Sequence, residues 1–165
     1  MVWKTLFVLA GLGLAQPVQL DASCTEPAKP GVDWQRCYHD GRDLKGVDLS
    51  GARLRDATFQ RADLTGANLA GANAYRVKFI SAEMVKTRLD RADLIEADFT
   101  KADLAGASLR QADLRRARFF RASLRGADLT GARMTGADLL HADFSGALWT
   151  DGKTVCAEGS IGQCH

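Results

Sequence analysis

The sequence has almost no excess of charge. A formal net charge of +2 over 165 residues, with 25% of them charged, points by itself to no polyanionic or polycationic partner and gives nucleic acid no invitation. No apolar run is long enough to span a bilayer, which takes about 20 residues; the run from Leu6 to Ala15 is shorter and is broken by Gly11 and Gly13. The three histidines, His39, His141 and His165, stand far apart. No Ser/His/Asp or Cys/His grouping has a recognisable spacing, so nucleophilic catalysis lacks its parts. There is no GxxxxGK[ST] phosphate loop, and carboxylates recur only within a repeat that already explains them. No catalytic residue, cofactor or metal site is assigned, and the chain is expected not to be an enzyme.

Lys4, the short apolar run and the polar stretch after it read as a secretory signal. Cleavage is expected after Ala22, although Gly13 and Ala15 make a better small-residue pair. Lipidation at Cys24 is disfavoured, because Asp21 sits where such signals carry an aliphatic residue. Export to the periplasm or beyond agrees with the four cysteines, since disulfides persist in oxidising compartments. Four cysteines allow three pairings. Cys24 and Cys37 precede the repeats while Cys156 and Cys164 follow them, and a disulfide needs Cα atoms within about 7 Å. A rigid rod between the groups leaves Cys24 with Cys37 and Cys156 with Cys164 as the easy pairs. Free thiols, or zinc held by Cys156, Cys164 and His165, form the competing reading, which lacks a compact pair of ligand motifs.

Across residues 44–149 a large apolar residue recurs at every fifth position, with one lapse at Ala74, giving 22 pentapeptides. From Ala52 on, a small residue lies two positions before nearly every one, as in Ala62-Asp63-Leu64-Thr65-Gly66. In a helix, a step of five residues turns the direction by about 140° net and scatters the leucines around the axis. In a flat strand an odd period sends alternate leucines to opposite faces. The chain must therefore turn once per repeat, with glycines such as Gly46, Gly51 and Gly66 serving the turns. Phe59, Phe79, Phe99 and Phe119 lie twenty apart, a column suited to aromatic stacking between successive coils. Four pentapeptides per coil follow, or about 5.5 coils and a rod roughly 26 Å long at the usual strand spacing. The structural core is assigned to Phe59, Phe79, Phe99, Phe119, Leu64, Leu94, Leu104 and Leu114.

This A(D/N)LXX pattern resembles the pentapeptide repeat family. The resemblance implies an all-β fold, a right-handed quadrilateral β-helix, with the central residue and the alanine two before it pointing inward. The tail from Trp149 through Cys164 is similar to endings of exported members. Between Ala74 and Arg88, Val77 and Thr87 replace alanine and Lys78, Glu83 and Arg88 replace Asp or Asn; a bulge or distorted corner is expected there. The expected organisation is a signal at 1–22, an N-terminal cap at 23–41 with Trp34, the solenoid at 42–151 and a disulfide-closed tail at 152–165, because solenoid ends expose core and unpaired edges.

Function is sought on the outer columns. One column reads Asp43, Asp63, Glu83, Asp103, Ser123 and Asp143, read chiefly as turn carboxylates that bond nearby backbone, with a calcium stripe or a mimic of DNA phosphates as the functional alternative. The phenylalanine side instead carries Arg61, Ser81, Lys101, Arg121 and His141, with Ile80, Phe120 and Leu140 exposed beside them and Arg55, Arg76, Arg115 and Arg116 on the neighbouring side. A basic surface with interspersed apolar groups suits an anionic envelope component or an acidic protein; a merely solvated face is the alternative. The expectation is a non-enzymatic exported scaffold. The competing readings are a stress-protective protein with no dedicated ligand, and a topoisomerase-binding DNA mimic such as the family members that protect gyrase, which act in the cytoplasm.

Overall fold

The computed structural model describes residues 22–165; apart from Ala22, the segment read as a signal lies outside the described residues. From Asp33 to Asp128 every fifth residue makes a parallel bridge to the residue twenty further on, as in Asp43 with Asp63 and Asp63 with Glu83. Each side pairs through one residue, so four sides close each coil and no long strand develops. The architecture is a right-handed quadrilateral β-helix. The sides are named here by their inward central residues: the first face carries Phe59, Phe79, Phe99 and Phe119, the second Leu64 and Leu104, the third Leu69 and Leu109, and the fourth Leu54, Leu94 and Leu114.

The corners follow from backbone chemistry. The amide of Ala52 donates to the carbonyl of Leu49 at 3.0 Å while Gly51 between them has φ of 63°, the pattern of a type II turn, whose third residue needs positive φ. Where an outward Asp or Asn precedes the central residue, it stabilises this corner. Asp63 Oδ1 accepts from the amide of Thr65 at 3.0 Å, and Asp98 does the same for Thr100. At two positions lacking that carboxylate, Asp40 and Asp90 of the preceding coil accept instead from the amides of Gln60 and Arg110. The A(D/N)LXX motif is thus an inward pair of apolar groups with a capped turn.

All eight core residues read from the sequence are fully buried. The phenylalanine rings stack at 5.4, 5.3 and 4.9 Å between centroids, each such contact worth about 0.5–1.5 kcal/mol beyond area burial. The column continues down to His39, stacked on Phe59 at 5.2 Å and 4.0 Å from the Trp34 ring.

Two expectations change. First, pairing begins at Asp33, and Val32, Trp34, Cys37 and His39 fill inward positions. Part of the segment 23–41 is therefore solenoid; the 3-10 turn Ala22–Thr25 and the residues up to Pro30 lie before it, held by the Cys24–Cys37 disulfide with Cα atoms 5.4 Å apart. Second, there is no bulge near Ala74. Asn73, Lys78, Glu83 and Arg88 keep the twenty-residue register. Val77 is fully buried in an alanine's place, and the buried Thr87 hydroxyl donates to the carbonyl of Leu64 at 2.8 Å, which satisfies the polar group that the substitution brings inside.

At the other end the tail turns back. Val155 and Ile161 make antiparallel bridges to Leu148 and Asp143, and the Cys156–Cys164 disulfide, with Cα atoms 4.9 Å apart, pins the loop. Both local cysteine pairs expected from the rod are formed, and no described cysteine is free. Among the described residues no helix is long and apolar enough to cross a membrane.

Candidate binding face

The first face meets the second at a corner where Arg61, Ser81, Lys101, Arg121 and His141 follow one another up the rod. All five have positive φ, with Arg61, Lys101 and Arg121 at 56, 59 and 56°. A non-glycine residue in this region costs about 1–2 kcal/mol. The next corner along the chain is built largely of glycine, from Gly46 through Gly66, Gly106 and Gly126 to Gly146. Non-glycine residues hold the same backbone on the corner between the fourth and first faces, where Asp56, Arg76, Glu96 and Arg116 have φ of 57, 56, 58 and 59°, so the first-face corner is set apart by its side chains and not by its backbone.

These cations are also electrostatically free. Arg61, Lys101 and Arg121 make no ion pair among the described residues, and all three are exposed; Arg121 lies over the Phe120 ring at 5.1 Å. His141 meets the same ring edge-on at 5.9 Å. Phe120 and Ile80 are half-buried where full exposure was expected, and Leu140 is exposed. Phe120 is partly covered because Arg121 and His141 close over it.

The corner between the fourth and first faces is different. Arg36, Asp56, Arg76, Glu96 and Arg116 alternate in sign up the rod, and a shallow groove runs along them with Lys78, Asp98 and Arg118. Arg76 pairs with Asp56 at 3.3 Å, Arg116 with Glu96 at 3.2 Å and Arg118 with Asp98 at 3.2 Å. Arg115 pairs with Asp113 at 2.8 Å, and the Arg55 guanidinium sits over the Tyr75 ring at 4.9 Å. Arg115 and Arg116 therefore do not join Arg61, Lys101 and Arg121 in one basic surface. Their charge is matched within the rod, in exposed pairs worth about 0–1 kcal/mol each. The alternation is visible in the sequence once it is read with a period of twenty, and reading cations alone hides it.

The acidic column on the second face is mostly occupied with its own corners. Asp43, Asp63, Asp103 and Asp143 each accept from the amide two residues on. Lys45 bonds Asp63 at 2.9 Å and, with the Thr65 hydrogen bonds, holds its carboxyl down to about 2. Arg125 bridges Asp143 and Glu158. Burial would raise the Asp143 pKa, but the bonds from Ser145 and Arg125 outweigh it and keep the carboxyl below its ordinary value. Among the described residues no three His, Cys, Asp or Glu side chains gather where they could hold a metal ion, so neither a calcium stripe along this column nor the Cys156, Cys164 and His165 alternative has a cluster behind it.

Against this geometry, comparisons with known proteins are specific. The family model described as pentapeptide repeats matches residues 43–79, 75–114 and 112–148, with 8 copies. HetL, a pentapeptide repeat protein involved in heterocyst differentiation regulation from the cyanobacterium Nostoc sp. strain PCC 7120, is 32% identical; the match covers 74% of this chain and 68% of HetL with a TM-score of 0.51. Trypsin-treated QnrB1, a plasmid-mediated fluoroquinolone resistance protein, is 24% identical over 72% of this chain and 62% of its own length, with a TM-score of 0.54. That second likeness is one of fold. Comparison with curated proteins gives no match.

Proposed function

The chain belongs to the pentapeptide repeat family, and from that premise we propose that it is an exported, non-catalytic scaffold whose first face binds an anionic macromolecule of the cell envelope. The observation that carries this reading is the column of Arg61, Lys101 and Arg121, exposed and without an ion pair among the described residues. Stacked like charges on one edge are mildly unfavourable in the free protein and become favourable when an anion lies along them. Ile80, Phe120 and Leu140 beside the column supply apolar contact. Export is supported by the signal-like N-terminus and by two disulfides that close the ends of the rod.

The test is capture from envelope fractions by the immobilised protein. Replacing Arg61, Lys101 and Arg121 together with glutamine weakens capture of anionic components and lowers its salt dependence. Replacing the paired Arg115 and Arg116 leaves capture nearly unchanged. Equal capture by all three proteins refutes the binding face and leaves a purely structural role.

The acidic column of Asp63, Glu83 and Asp103, half-buried except at the exposed Glu83, favours one second reading, a DNA-like surface for a topoisomerase. That role requires an uncleaved N-terminus and an intracellular protein, so mass spectrometry of the mature N-terminus separates it from the first.

A further inference from the structure

Beside the cations of the first-face corner runs a second lane, formed by the residue that precedes each member of that column: Gln60, Ile80, Thr100, Phe120 and Leu140. None of the five is charged. All are half-buried except Leu140, which is 56% exposed, so they form a strip between the corner and the flat of the first face. From Gln60 to Phe120 polar and apolar members alternate, one per coil. On the other side of the cations, two residues further along the chain, stand Asp63, Glu83 and Asp103 of the second face. An anion drawn to Arg61, Lys101 and Arg121 therefore settles on the uncharged lane, away from those carboxylates.

The column has a defined spacing. Successive members are one coil apart, roughly 4.8 Å, and the exposed Ser81 interrupts the charge between Arg61 and Lys101. The Arg121 guanidinium is held over the Phe120 ring at 5.1 Å, which fixes its planar fork for bidentate contact with a carboxylate. A ligand that fits must be long and straight, must space its charges with neutral units and must offer both apolar and hydroxyl surface. An extended polypeptide advances by about 3.3 Å per residue and a DNA strand by about 3.4 Å per phosphate, so both fall out of step with the coils. A fluid bilayer has no fixed repeat. A chain of β-linked pyranoses advances per sugar by nearly the height of one coil and keeps step.

We infer that the ligand of this face is an acidic polysaccharide laid lengthwise along the corner, one sugar per coil, with uronates alternating with neutral sugars; the inference rests on the binding face proposed above. Uronates on alternate sugars meet Arg61 and Lys101, two coils apart, and Arg121 reaches the second of them from the coil above. The neutral sugars between lie with their C–H faces on Ile80 and Phe120. Gln60, Ser81 and Thr100 bond the hydroxyl groups.

Titration calorimetry of the processed protein with hyaluronan fragments, which alternate glucuronate and N-acetylglucosamine, tests this. Affinity should rise with fragment length until the coils from Arg61 to His141 are filled, at about one sugar per coil, and then level off. Neutral N-acetylglucosamine oligomers should not bind. Thr100→Glu, which places a carboxylate in the lane, should weaken binding by about threefold or more, and Ser81→Lys should strengthen binding of polymannuronate, with a carboxylate on every sugar, by a similar factor. If the fragments fail to bind while the Arg61, Lys101 and Arg121 glutamine variant still loses envelope capture, the polysaccharide is overturned and the face stands. If the fragments fail and capture is also unchanged, both fall. Tighter binding of phosphatidylglycerol vesicles than of the fragments, or an affinity that ignores fragment length, overturns the polysaccharide as well.

Discussion

Acid should loosen the rod from its N-terminal end, and His39 sets where the loosening begins. The ring is buried between Trp34 and Phe59. Its Nδ1 lies 2.7 Å from an Arg42 guanidinium nitrogen, and its Nε2 is buried without a partner. Burial first, and then the Arg42 charge, push its pKa down from 6.5 to about 4, against a smaller upward pull from Asp40. The folded protein therefore binds this proton less readily than the unfolded chain. Stability associated with neutral His39 is complete above about pH 6.5, declines as the pH falls toward 4 and changes no further below that. A shift of this size corresponds to at most about 3 kcal/mol at ~1.4 kcal/mol per pH unit. Replacing His39 with phenylalanine extends the aromatic column and removes both the titration and the unpartnered nitrogen, whose burial costs about 1–3 kcal/mol. The His39→Phe variant should be more stable than the parent at pH 7 by about 1 kcal/mol, after the lost contact with Arg42, and by about 2–3 kcal/mol more at pH 4.5. Trp34 reports the transition directly. In a background with both Trp3→Phe and Trp149→Phe its fluorescence follows denaturant unfolding of the first coils at pH 7.5, 6, 5 and 4.5. Parallel pH profiles for the parent and the His39→Phe variant would refute the reasoning. Acid sensitivity in both would then come from carboxylates such as Asp63, held down to about 2 by Lys45, whose contribution is present above about pH 4 and fades only as the pH falls toward 2.

Two further outcomes follow from the same packing. Leu94→Ala, at a fully buried position midway along the fourth-face column, should cost about 2–5 kcal/mol, and Thr100→Ala, on an outward corner, about 0.5 kcal/mol or less; denaturant melts compare them, and equal costs contradict the inward and outward assignment. Reducing the Cys156–Cys164 disulfide, which closes a short loop, should remove about 2–3 kcal/mol from the tail, seen as faster hydrogen exchange at Phe144, Gly146 and Trp149 while the middle coils stay protected.

The period of five was enough to fix the coil, and the phenylalanines twenty apart were enough to count its sides. Both signals arise because burial selects residue type strictly at inward positions. The first coil escaped notice because Val32, Trp34, Cys37 and His39 fill inward places with residues outside the alanine and leucine pattern. The regularity around Ala74 is masked for a related reason: Val77 and Thr87 lie outside the alanine pattern and are fully buried all the same. The surface was less legible. A composition count reads Arg61 and Arg116 alike, yet Arg116 faces Glu96 one coil below and Arg61 faces no carboxylate. That difference appears only when residues are compared across coils. The returning tail was invisible in sequence, because its direction depends on a turn that brings Val155 back along Leu148.

Neighbourhood at a separation of twenty underlies the columns, the charge pairs and the proposed face. Cysteines placed at Ser81 and Lys101, adjacent coils of one exposed corner, test it most directly, since a disulfide needs Cα atoms about 4.4–6.8 Å apart. The account predicts rapid, nearly complete cross-linking of that pair under mild oxidation and none between cysteines at Ser81 and Glu96, fifteen apart on different corners. Cross-linking of the second pair, or failure of the first in the folded protein, would contradict a coil of four pentapeptides.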